Sequence, residues 1–245
     1  YETHYCIWNG HPITFYLQLL KKQFMKQQST LLQFGERVEG YDIPVLNERE
    51  IRAAAGLFFV LMFVAVLMAI MIQNFTLLKF AVVIFLFDFI IRVMVNPRYA
   101  PTLILGRLIV RNQTPEYVGA PQKKFAWIIG LALALIMLLF QVIINSFSPI
   151  TGLICLICLV FLLFESAFGI CLGCKFYPLF FRGKVQYCPG EVCDVRSRHE
   201  IQKVSGAHFA IIAGFSIFIV VLVILFNDTF SLPPFDLFGL SGNEH

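Results

Sequence analysis

The chain alternates long apolar stretches with shorter polar connections. A helix needs roughly 20 apolar residues to cross a hydrocarbon core of ~30 Å, and five stretches reach that length: 53–72, 75–95, 125–144, 150–172 and 207–226. Residues 73–74 and 145–149 leave room only for tight turns. The pattern therefore predicts an all-α, polytopic membrane helix bundle with five spans, arranged as two tight hairpins followed by a final helix.

Basic residues lie on one side of these predicted spans. Segments 1–52, 96–124 and 173–206 hold all of the 19 Lys and Arg residues except Lys79 and Arg92. Because cytoplasmic loops of membrane proteins are enriched in Lys and Arg, we expect a cytoplasmic N-terminus and two cytoplasmic loops. The net charge of +4 then follows from topology and anionic headgroups, so no nucleic-acid partner is expected.

This topology divides the chain into five segments. We predict a cytoplasmic amphipathic N-terminal segment over 1–47, a four-helix membrane domain over 48–180, and a cytoplasmic cysteine-containing loop over 181–206. A fifth transmembrane helix follows over 207–227, and then a non-cytoplasmic tail over 228–245. The N-terminal helix (residues 13–34), the fifth span and the aromatic tail offer docking surface, so we expect protein partners besides the lipid bilayer.

Composition agrees with a membrane protein and excludes several site types. Hydrophobic residues make up 58% and charged residues 14% of the chain, against about 25% charged in soluble domains. The sequence has no phosphate-binding glycine loop, nucleophile elbow or metalloprotease helix. The five histidines lie at or beyond the ends of the predicted spans, so no haem is expected. We leave open whether the protein is an enzyme, and favour a non-catalytic role.

Besides Lys79, which lies near the end of its span and can snorkel, three charged residues fall inside predicted spans: Asp88, Arg92 and Glu165. Charges at membrane depth are costly and usually face the interior of a bundle. Asp88 and Arg92 are one helical turn apart and can pair. We therefore expect all three to meet between the hairpins as an intramembrane polar cluster. It would be either an electrostatic clasp that joins the hairpins, which we favour, or a polar binding site or proton path.

Four cysteines lie at the end of the fourth predicted span and in the following loop: Cys171, Cys174, Cys188 and Cys193. This spacing resembles a structural zinc site, in which His199 could replace one ligand. An iron–sulfur cluster is a less favoured alternative. The other interpretation is a reversible dithiol with Cys171 and Cys174 as redox residues, since a fixed disulfide is not expected in the cytosol. Cys155 and Cys158 are interpreted as small apolar side chains.

Several motifs resemble one known family. They are Val45–Gly56, Asn96-Pro97-Arg98-Tyr99-x-Pro101, Lys123-Lys124-Phe125-Ala126 and Glu165-x2-Phe168-Gly169-x-Cys171-Leu172-Gly173-Cys174. Over about residues 45–180 the chain is similar to the bacterial membrane family called domain of unknown function 4395. The resemblance implies a four-helix membrane unit in a bacterial inner (cytoplasmic) membrane. It also implies association with thioredoxin-like or sulfurtransferase proteins, which favours thiol chemistry.

These observations lead to one function hypothesis with two alternatives. The first is a subunit of a larger membrane assembly, with a cytoplasmic metal or thiol-redox site formed by the four cysteines. The second is a small transporter or channel for a sulfur compound that uses Asp88, Arg92 and Glu165. The third is a membrane thiol oxidoreductase.

Overall fold

The computed structural model describes residues 34–36, 38, 43–173 and 205–236. These described residues belong to one compact unit. The predicted N-terminal helix, Cys174, Cys188, Cys193 and His199 lie outside the described residues, as does the tail beyond residue 236.

The described chain is mostly helical with little sheet, and the predicted all-α fold is confirmed. Its α-helices are α1 (Glu48–Met71), α2 (Thr76–Ile90), α3 (Pro101–Ile109), α4 (Ala120–Met137), α5 (Pro149–Phe168) and α6 (Gly206–Ser231). A π-helical segment continues α2 over Ile91–Val95, and another continues α4 over Leu138–Ile143. A 3-10 turn over Pro97–Tyr99 leads into α3.

Two short two-stranded sheets connect segments that are distant in sequence. Strand β1 (Val45–Asn47) pairs antiparallel with β2 (Tyr117–Gly119), with Val45 opposite Gly119. Strand β3 (Ser146–Phe147) pairs in parallel with β4 (Phe235–Asp236). The first sheet joins the starts of α1 and α4, and the second joins the turn before α5 to the chain after α6.

Four helices of the described chain are long and apolar enough to cross a membrane: α1, α4 with its π-helical continuation, α5 and α6. The chain is therefore a multi-pass membrane protein. The remaining predicted span contains α2, which has 15 α-helical residues before the π-helical segment and carries Lys79 and Asp88. Helix α2 packs against α1, α4 and α6 and has many buried residues. The prediction of five spans, like the side on which the N-terminus lies, stays a prediction.

Two helices begin earlier than the apolar pattern indicated. Helix α1 begins at Glu48 rather than at residue 53, because the Asn47 side chain caps it by accepting from the Arg49 amide at 3.2 Å. Helix α4 begins at Ala120 rather than at residue 125, with Pro121 in its first turn, a position that proline favours. Both helices therefore include charged residues that the prediction had placed in loops.

Aromatic packing fills the centre of the bundle. Helix α1 packs most extensively on α5 and α3. Phe58 of α1 lies against Phe85 and Phe89 of α2, with ring centroids 4.9 Å and 6.1 Å away, and Phe85 stacks on Phe89 at 4.0 Å. Aromatic pairs of this kind add to the energy of burial. This core packs α1 against α2, and the ion pairs lie nearer one end of the bundle.

Candidate functional site

The polar end is the end of the bundle at which α1 and α4 begin and α5 finishes. Lys123 of α4 is buried there, with 1% of its side chain exposed. Its ammonium donates to Glu165 of α5. It also donates to Glu48 Oε1 of α1 at 3.0 Å and lies 2.8 Å from Glu48 Oε2. One cation thus joins three helices through two carboxylates.

A second buried ion pair lies at the end of α2 and in the π-helical segment that continues it, next to α3. The Arg92 Nε donates to Asp88 Oδ2 at 2.5 Å, and the two side chains are 2% and 0% exposed. Thr102 of α3 donates to Asp88 from its amide at 2.9 Å and from its hydroxyl at 2.8 Å. The Arg92 guanidinium also lies over the rings of Phe89 and Trp127, at 4.7 Å and 5.2 Å. This pair is closely enclosed by hydrogen-bond donors and aromatic faces.

A third ion pair holds α3 against α1. Arg107 donates from Nε and Nη2 to Glu50 Oε2, at 3.2 Å and 3.1 Å. The Asn47 side-chain amide donates to Glu50 Oε1 at 3.0 Å. Since both charged side chains are about 5% exposed, their pairing is what makes burial tolerable. Its role is structural, because it fixes the short helix on the long one.

The segment that carries Cys171 begins where α5 ends. Gly169 has φ +64°, a left-handed conformation that terminates the helix and that glycine adopts without steric cost. The Ile170 amide then donates to the Phe164 carbonyl at 3.0 Å. The fourth predicted span therefore does not continue as one α-helix to residue 172, and Cys171 lies beyond the helix end.

Cys171 is disulfide-bonded. The sequence-predicted partners Cys174, Cys188 and Cys193 lie outside the described residues. Cys155 and Cys158, within α5, are free thiols, and Cys155 is buried. Within the part of the chain that the structure describes, no three His, Cys, Asp or Glu side chains are grouped closely enough to hold a metal ion.

Comparison with known proteins identifies the family. Residues 46–182, more than half of the chain, match the family described as Domain of unknown function (DUF4395). The chain belongs to the DUF4395 family. No curated protein and no solved structure matches the chain. The match confirms the resemblance inferred from sequence, and the DUF4395 region includes all three ion-pair groups and Cys171.

In this DUF4395 protein the three charges predicted to meet belong to two separate groups. Asp88 and Arg92 bind each other and Thr102, whereas Glu165 binds Lys123. The physical reason is the early start of α4, which brings Lys123 into the bundle as a nearby cation for Glu165. A single polar cluster of Asp88, Arg92 and Glu165 is therefore not the arrangement that the structure has.

Sequence reasoning also missed Glu48 and Lys123 as parts of the polar end. It assigned them to basic or linking segments because they lie outside the apolar stretches. Two signals could have found them. Asn47 before Glu48 and Glu50 is a typical helix start, with a capping side chain and acidic residues in the first turn. Pro121 marks the first turn of α4 in the same way.

Proposed function

We propose that this multi-pass DUF4395 protein carries a thiol–disulfide exchange site at its polar end, formed by Cys171 with Cys174. In this proposal the protein acts as a subunit of a larger membrane assembly and passes electrons between thiols. The observation that supports it best is the disulfide-bonded state of Cys171. The C-x2-C spacing makes Cys174 the nearest partner in sequence, and such pairs are common in dithiol redox sites.

The exchange is a two-electron reaction. A thiolate of a partner dithiol attacks one sulfur of the disulfide, forms a mixed disulfide and releases the other cysteine as a thiolate. The partner's second thiolate then attacks the partner sulfur of the mixed disulfide and releases the remaining cysteine. Cys171 and Cys174 end as two thiols and the partner as a disulfide, so two electrons and two protons move to this protein. The partner class is a protein dithiol, for which thioredoxin-like or sulfurtransferase proteins are the candidates.

The location we propose is a bacterial inner membrane, with the polar end and the N-terminus facing the cytoplasm. The distribution of Lys and Arg supports this orientation. Reducing systems keep cytosolic thiols reduced unless they serve transiently in catalysis or sensing. A disulfide facing the cytoplasm would therefore be a reversible one, as the exchange reaction requires.

Docking into an assembly is the second part of the proposal. The candidate contact surfaces are the N-terminal amphipathic segment, the fifth span and the tail. Helix α6 supports it, because its apolar side chains are largely exposed in the described structure and its main helix contacts there are with α2 and α3. Purification in mild detergent should recover a stoichiometric protein partner, and recovery of the chain alone would count against the subunit role.

The deciding experiment is a redox titration of the full-length protein in membranes. Samples equilibrate with defined ratios of reduced and oxidised glutathione, free thiols receive a mass tag, and the tagged fraction of Cys171 is measured by peptide mass spectrometry. We expect Cys171 and Cys174 to change from tagged to disulfide together. In Cys171→Ser the joint transition should be lost, and oxidised Cys174 should carry glutathione as a mixed disulfide. The control Cys155→Ala should titrate as the wild type does.

Zinc bound by Cys171, Cys174, Cys188 and Cys193 is the alternative use of the same sulfurs. Metal analysis of the purified protein separates the two. About one zinc per chain, lost in Cys171→Ser and protecting all four thiols from the tag, would overturn the redox proposal. Thiols that cycle with glutathione without bound metal would support it.

A further inference from the structure

Arg52 reaches from the second turn of α1 to the end of α5. Its Nη2 donates to the Ala167 carbonyl at 3.2 Å, and its Nε lies 3.4 Å from the Ser166 carbonyl. The last carbonyls of a helix have no partner within the helix, and the negative end of the helix dipole lies there. A guanidinium bound to two of those carbonyls satisfies both requirements from a different helix.

The same guanidinium lies against the turn that follows. A Cβ added to Gly169 would be 3.3 Å from Arg52 Nη1 and 3.4 Å from Cζ. Arg52 therefore covers the left-handed residue at which the chain leaves α5. The direction in which the next residues leave the helix is set by this contact as well as by Gly169 itself.

Two residues beyond Cys171 the chain is held again. A Cβ added to Gly173 would lie 2.7 Å from the Ala126 Cβ and 3.0 Å from its Cα. Gly173 thus packs directly on the face of α4, one turn from Lys123. Cys171 is midway between a contact with α1 at Gly169 and a contact with α4 at Gly173.

We propose that Arg52 is a positioning residue for the Cys171 disulfide. By fixing the end of α5, it restricts the positions that the Cys171 sulfur can take. Restricting two groups to one geometry raises their effective concentration and favours the bond between them. This inference rests on the proposed thiol–disulfide role of Cys171, and it assigns part of that role to a helix distant in sequence.

The test measures the Cys171 thiol–disulfide equilibrium against glutathione in the full-length protein, in the wild type and in three Arg52 or Arg107 variants. Arg52→Gln keeps most of the side-chain length but loses the charge and the forked donors. Arg52→Lys keeps the charge on a single ammonium, which cannot bind two carbonyls with the same planar geometry. Arg107→Gln breaks the buried pair with Glu50 at the same end of the bundle, and so controls for general loss of stability.

For Arg52→Gln we expect the equilibrium to shift about tenfold toward the dithiol, which corresponds to about 30 mV for a two-electron couple. Arg52→Lys should recover part of this, with a shift of about threefold. Arg107→Gln should lower the thermal midpoint and leave the Cys171 equilibrium within error of the wild type. Gly169→Ala gives a second way to disturb the same turn, and should shift the equilibrium in the direction of Arg52→Gln.

Three results would overturn the inference. An unchanged equilibrium in Arg52→Gln and Gly169→Ala would show that Arg52 does not position the sulfur. A shift in Arg107→Gln as large as in Arg52→Gln would show general loosening. A wild-type Cys171 that never cycles would remove the proposed function together with this inference, whereas a normal wild-type titration with unaffected variants would remove the inference alone.

Discussion

The two ends of the bundle stabilise buried polar groups in different ways. At the polar end, Lys123, Arg92 and Arg107 each bind at least one carboxylate. At the far end, where α2 begins, Lys79 is 1% exposed, and its ammonium donates to the Leu232 carbonyl at 2.7 Å. Gln141 is also buried there, and its Oε1 accepts no hydrogen bond from the described residues.

The difference indicates that the polar end is the end at which the helices are fixed relative to one another by ion pairs. Ion pairs between helices fix α1, α3, α4 and α5 relative to one another, and Cys171 follows directly from that region. A reactive group is held accurately only when the residues around it are themselves fixed by packing and hydrogen bonds. The far end closes instead through the β3–β4 pairing and aromatic contacts such as Phe80 with Phe230, at 4.8 Å.

The largest effect is expected from breaking the Asp88–Arg92 pair. Asp88→Leu leaves a buried guanidinium without its carboxylate and should lower the free energy of unfolding by about 4 kcal/mol. The double variant Asp88→Leu/Arg92→Met removes both charges and should be more stable than Asp88→Leu alone. Unfolding titrations in mixed detergent check this, and a double variant no better than the single one would contradict the pairing argument.

Replacing each buried lysine by methionine compares the two ends directly. Lys123→Met removes the ammonium that binds both Glu48 and Glu165, and we expect a loss of about 3 kcal/mol. Lys79→Met removes a buried charge with no acidic partner among the described residues, and should change stability by less than about 1 kcal/mol. Equal losses in the same unfolding assay would mean that the two ends do not differ as described.

Gln141→Leu tests the far end alone. Leucine is similar in size, and it removes a buried acceptor that makes no hydrogen bond with the described residues. Stability should therefore stay unchanged or rise by up to about 1 kcal/mol. The thermal midpoint in detergent is the measurement. A clear decrease would show that Gln141 has a polar partner important for the fold.

The smallest effect is expected for an ion pair at the rim of the polar end. Arg49 Nη2 lies 2.5 Å from Glu116 Oε1, but the two side chains are 31% and 42% exposed. Exposed pairs contribute little because water screens them, so Arg49→Gln should cost no more than about 0.5 kcal/mol. A loss approaching that of Lys123→Met would mean that burial does not determine the value of these pairs.

Sequence patterns predicted the parts of the fold that depend on local chemistry. The lengths of the spans follow from hydrophobicity. The ion pair between Asp88 and Arg92 follows from their spacing of one helical turn. Glu165 and Lys123 are 42 residues apart, so only the packing of α4 on α5 brings them together. The same holds for Arg52 and Ala167, since no periodicity relates the start of one helix to the end of another.

Helix boundaries explain the other differences. Hydrophobicity locates the middle of a span, whereas capping residues and prolines decide where the helix begins, and Asn47 and Pro121 extend α1 and α4 past the apolar stretch. Gly169 shortens α5 in the opposite sense. These few residues move Glu48, Lys123 and Cys171 into the positions that define the polar end.

The most direct test of the account is to map the bond made by Cys171 in intact membranes. Rapid acid quenching and alkylation, followed by digestion without reductant, should yield a peptide in which Cys171 is linked to Cys174. After incubation of the membranes with a reduced protein dithiol, that peptide should disappear and both cysteines should be alkylated. A Cys171 that is alkylated from the start, or a bond that the dithiol leaves intact, would contradict a reversible disulfide at the polar end.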